Sequence, residues 1–146
     1  AAFVSGLRPY AHPQGAKDAA PTVFDLTGQL PIAVYLLNGR PAGAAWFIDS
    51  FGPSFSRAVF ADLDDSAFLD GWVLVRQNAA GGADESAPHF RTFVDRLEGL
   101  GTSFDERFKP VATVTAPNWG QADETLTVML YKPFAQQSTA TIPLTD

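Results

Sequence analysis

Between Thr22 and Lys132 the chain runs in short apolar, β-forming stretches that glycine, proline and Asn-Gly breaks keep from growing, and this punctuation limits its possible folds most. Residues 22–26 (Thr-Val-Phe-Asp-Leu) stop at the turn-like Thr27-Gly28-Gln29. Pro31 then opens residues 32–37, rich in β-formers, and Asn38-Gly39 follows at once, a pair that accepts the positive φ angles of a tight hairpin turn. The pattern predicts a hairpin that returns over residues 42–48, with Pro41 at an edge or bulge because it cannot donate a ladder hydrogen bond. After the break at Gly52-Pro53, residues 57–63 and 71–77 read as further strands. Residues 111–116 and 125–132 close the series around the turn-rich stretch 117–120.

The period changes once. Phe90, Phe93, Val94, Leu97 and Leu100 recur at helical spacing, while Arg91, Asp95, Arg96 and Glu98 take the other face, which predicts one amphipathic helix over about 87–100. Ser86 is the expected N-cap, Pro88 suits the first turn, and Gly99 or Gly101 ends it. Residues 78–87, with Gly81-Gly82 at the centre, read as a mobile loop. The expected fold class is therefore mainly β with one α-helix (α+β): a β-sandwich or barrel of six or seven strands over residues 22–134, with a single packed helix. At 146 residues the chain is long enough for one self-sufficient core. No internal repeat or heptad is visible.

The two ends read differently. Residues 1–21 hold Pro9, Pro13, Pro21, Gly6 and Gly15 without a sustained period, and residues 135–146 are polar up to Pro143, so both are expected as extended arms. Fixing a residue's backbone costs about 1 to 2 kcal/mol, and a polar arm buries too little surface to offset that alone. Neighbouring copies are the expected support. The start, Ala1-Ala2-Phe3-Val4, lacks the basic and long apolar regions of a leader; methionine removal and signal cleavage both fit Ala1. The longest apolar run, residues 32–37, is far short of a membrane span.

Several chemistries are excluded or left without their parts. With no cysteine there are no disulfides, thiolate metal sites or cysteine nucleophiles. A net charge of −6 with scattered basic residues argues against nucleic acid as a partner. Charge is uneven, +1 over residues 1–48, −3 over 49–76 and −4 over 77–146, which weakly favours head-to-tail contacts. His12 and His89 have no metal-ligand spacing; His89 is expected at the surface or as a cap. No Gly-x-Ser-x-Gly elbow is present, and Gly81-Gly82 is followed by Asp84-Glu85, which would repel a phosphate. Asp62, Asp64, Asp65 and Asp70 form the only carboxylate-dense segment; it lacks the glycine and glutamate of a calcium loop and reads first as a solvated loop, then as a calcium site or an acid pair. No catalytic, metal-binding or cofactor-binding residue and no cofactor is assigned.

Aromatic side chains carry what remains. Trp46 and Trp72 sit in apolar strand contexts and read as core, whereas Trp119 lies in a turn suited to a subunit contact or a sugar. Phe3, Tyr10, His12, Phe51, Phe55, Trp119 and Pro143 are the expected interface residues. The expected function is a non-enzymatic structural or assembly subunit, such as a component of a virus or phage particle or another polymer, joined to copies of itself through its arms. The alternative is a secreted or periplasmic domain that binds carbohydrate or peptide.

Overall fold

The computed structural model describes residues 2–13, 19–28, 33–44, 47, 51–117 and 125–134. β1 (Thr22–Asp25) and β3 (Trp72–Arg76) form where strands were predicted and pair in parallel, with Val23 opposite Trp72 and Phe24 opposite Val73. Both are buried nearly throughout, which fits strands covered on two faces. β2 (Arg40–Pro41) lies parallel on the other side of β1. β5 (Thr125–Pro133) is antiparallel to β3, and β4 (Phe108–Pro117) is antiparallel to β5. The register of the last pair shifts between Pro110 and Ala112, where proline lacks the donor a regular ladder needs.

The order is β2-β1-β3-β5-β4, so β2 and β4 are the edges and the sheet does not close on itself. This corrects the expected sandwich or barrel: among the described residues the fold is α+β, an open mixed sheet of five strands with several helices. Alternate residues of the central strands feed two separate cores. Phe24, Val73, Val75, Met129 and Tyr131 face one side with Phe60, Phe68, Phe93 and Leu97, supplied by α3 (Gly52–Ala61), α4 (Asp65–Asp70) and α5 (Pro88–Gly99). Val23, Trp72, Leu74, Val128 and Leu130 face the other with Leu7, Val34 and Leu37, from α1 (Ala2–Leu7) and the end of α2 (Ala33–Leu36). A short α6 (Phe104–Arg107) leads into β4, and its N-cap Ser103 accepts from the Glu106 amide at 3.3 Å.

Two predicted strands are helices. At residues 32–37 the burial of Ala33, Val34 and Leu37 with Tyr35 exposed is a helical pattern, and α2 results. Asn38, at φ 55°, ends it: the amides of Asn38 and Gly39 donate to the carbonyls of Tyr35 and Val34 at 3.0 Å each, so the Asn-Gly pair closes a helix rather than turning a hairpin. Residues 57–63 lie mostly in α3, with Ser56 and Phe60 buried one turn apart. The helix predicted at 87–100 spans Pro88–Gly99, but its N-cap is Ala87 rather than Ser86. His89, expected at the surface, is fully buried beside the rings of Phe47 and Phe55.

The N-terminal segment is not extended. α1 and the 3₁₀ turn Arg8–Tyr10 fold back onto the chain's own sheet, with Leu7 fully buried. A Cβ at Gly6 would stand 2.6 Å from a methyl of Val114, so only glycine allows so close an approach to β4. The His12 amide donates to the Leu37 carbonyl at 2.9 Å, and Lys132 Nζ to the Tyr10 carbonyl at 3.0 Å. Residues 2–13 therefore owe their shape to their own chain; residues 135–146 lie outside the described part. The stretch predicted as a mobile loop is also tied. Asn78 Oδ1 accepts from the amides of Ala80 and Gly82 at 2.9 and 3.0 Å, and its Nδ2 donates to the Ala83 carbonyl at 3.1 Å.

Candidate functional site

On α3 the spacing of four builds two neighbouring ridges. Ser56 and Phe60 point into the molecule, where Ser56 Oγ meets Thr92 Oγ1 of α5 at 3.0 Å. The adjoining ridge starts at the N-cap Phe51 and continues through Phe55 and Val59 to Leu63 just past the helix, the last three packing along the rim of the core. Phe51 is 48% exposed and its ring centroid lies 4.8 Å from that of Phe55, which in turn packs edge-on to Phe47 at 5.8 Å. A groove of about 450 Å³ follows the ridge, walled by Gly43, Phe55, Val59 and Leu63. Gly43 stands at φ 80°, and a Cβ there would come within 2.9 Å of a Val59 methyl. Arg57 and Asp62 sit at the surface of the same helix and its end, and neither forms an ion pair among the described residues.

The predicted interface residues are thus divided. Phe51 and Phe55 come together on this ridge. Tyr10 and His12 lie on the opposite face of the sheet, where Tyr10 is partly packed against the second core and the His12 ring meets Trp72 edge-on at 6.5 Å. Trp72 is buried, as expected for core, and carries Lys132 Nζ over its ring at 3.9 Å. Burial lowers the Lys132 pKa. Trp119, Pro143 and Trp46 lie outside the described residues, as does the side chain of Phe3. Val59 and Leu63 were missed as members of the surface ridge; the recurrence 51, 55, 59, 63 was the available signal.

Asp25 is the second feature that sequence reading passed over. It ends β1 beside β3, at the point where the chain leaves neighbouring parallel strands for opposite faces of the sheet. It is 3% exposed. Its Oδ1 accepts from the Thr27 amide at 3.2 Å and the Thr27 hydroxyl at 2.6 Å, while Oδ2 is buried without a partner. Loss of hydration pushes its pKa up to about 7, against the smaller opposite effect of the Thr27 bonds.

The acidic segment is dispersed into clamps rather than gathered. Asp65 binds Arg96 of α5 at 2.9 Å, and Asp70 binds Arg107 of α6 at 3.0 Å. Among the described residues no three acidic or histidine side chains stand together so as to hold a metal ion. No helix among them is long and apolar enough to cross a membrane. Compared with known proteins, the chain matches no family model, and no curated protein or solved structure is detectably similar to it.

Proposed function

We propose that this chain is a non-enzymatic assembly subunit that joins copies of itself through the ridge Phe51, Phe55, Val59 and Leu63 on α3. The observation that carries this reading is the pair of phenylalanine rings in tilted contact on the ridge, one of them 48% exposed, beside a largely apolar groove. Aromatic rings that find a pocket on a partner supply a large share of interface energy. A two-fold contact would set the same ridge of each copy against the other. The N-terminal segment no longer supports the reading, since its own chain holds it; the ridge replaces it as the joining surface.

Sedimentation velocity over micromolar concentrations tests the proposal. The expected result is concentration-dependent association of the unaltered chain and monomers for Phe51→Ser combined with Phe55→Ser. A unaltered chain that stays monomeric throughout, or a double variant that associates equally well, overturns it.

A further inference from the structure

A cleft of about 520 Å³ opens on the other side of the molecule, between the N-terminal segment and the end of α2. Its wall includes Arg8, His12, Pro13, Tyr35, Leu36 and Asn38. We propose that this cleft binds a carboxylate-bearing sugar of one or two rings, with Arg8 as the anion partner and Tyr35 as the stacking plate.

Charge selects an anion. Arg8 is exposed, and its guanidinium makes no ion pair or hydrogen bond among the described residues, although the chain carries −6 overall. None of the described residues that line the cleft is acidic. A guanidinium grips a carboxylate or a phosphate through two parallel hydrogen bonds, but the single charge of Arg8 neutralises a single carboxylate and only half of a doubly charged phosphate. Shape and polarity select a sugar. The Tyr35 side chain is 80% exposed at the mouth, so its flat face and hydroxyl are free for a ring, and Pro13 and Leu36 add apolar surface beside it. Polar capacity also remains in the wall: Asn38 spends its Nδ2 on the His12 carbonyl at 2.9 Å, which leaves Oδ1 as an acceptor. That same bond fixes the geometry, since it ties the N-terminal segment to the residue that ends α2. The volume falls in the range of small-molecule sites.

The test is a titration of the isotope-labelled full chain with D-glucuronate, glucose and benzoate, followed by amide chemical shifts. Glucuronate is expected to give saturable shifts at Arg8, Tyr35, Leu36 and Asn38. Glucose and benzoate are expected to bind at least about tenfold more weakly, as is glucuronate to Arg8→Ala, because each removes a charge-assisted contact or the hydroxyl-rich ring. Both Arg8 and Tyr35 are exposed, so Arg8→Ala and Tyr35→Ala should keep the unaltered pattern of shifts elsewhere, and Arg8→Lys should restore part of the affinity. Absence of saturable shifts with glucuronate, equal binding of glucose, tighter binding of benzoate, or undiminished binding by Arg8→Ala each overturns the proposal. Phe51→Ser with Phe55→Ser is expected to bind glucuronate as the unaltered chain does, which separates this site from the joining ridge.

Discussion

A carboxyl group with one oxygen satisfied and the other buried alone, as in Asp25, makes stability depend on pH. Its folded pKa of about 7 stands above the usual carboxylate value, so the folded state holds the proton more tightly than the unfolded chain does. The resulting stabilisation is complete below about pH 4, declines as pH rises toward 7, and is gone above that. Asp25→Asn removes the titration while keeping an acceptor for Thr27. At pH 4 the neutral acid leaves one O–H unmatched and the amide two N–H, so the variant should be no more stable than the unaltered chain there. At pH 8 the variant should be more stable by about 2 to 4 kcal/mol, read from urea unfolding. An unchanged difference across that range would show that Asp25 is ionised throughout. A lone acid inside the apolar stretch Val23–Leu26 was visible in the sequence. That it loses its water on both faces of β1 was not, because helices distant along the chain supply the cover.

At the scale of elements, short apolar runs are ambiguous. Val59-Phe60 suits a strand or a helix, and only the longer recurrence of Phe51, Phe55, Val59 and Leu63 with Ser56 and Phe60 separates the two. β1, β3 and β5 were legible as runs of β-formers bounded by turn residues, and α5 by a helical period held over its whole length. α1 was not, since a six-residue helix has little stability of its own and forms against β4. Its anchor is Leu7, fully buried in the second core. Leu7→Ala should cost about 2 to 5 kcal/mol, and it should make the chain after Tyr10 susceptible to chymotrypsin well before global unfolding. Cleavage at the same rate in both proteins would show that the segment is held by its hydrogen bonds instead. The clamps Asp65–Arg96 and Asp70–Arg107 matter less, because partly exposed ion pairs contribute little.

The whole molecule is two apolar layers sharing one sheet: Trp72, Leu74, Val128 and Leu130 serve one layer, and Val73, Val75, Met129 and Tyr131, their chain neighbours, serve the other. Neither layer can lose its packing without disturbing strands that the other needs. Leu7→Ala and Phe93→Ala, one in each layer, should therefore lower a single unfolding midpoint seen alike by far- and near-ultraviolet circular dichroism. Two separate transitions would mean that the layers fold independently. The sequence by itself determined the chemistry that is absent, with no thiol, no disulfide and no dense basic patch, and it determined the segments whose period spans their full length. Tertiary structure decided the rest: parallel pairing of β1 with β2 and β3, an open sheet in place of a barrel, helices at α2 and α3, and the folding back of residues 2–13. The physical reason is one of magnitude. Local propensities differ by less than about 1 kcal/mol per residue, whereas burying a large apolar side chain against distant neighbours contributes about 1.5 to 3 kcal/mol, so long-range contacts settle what short segments leave open.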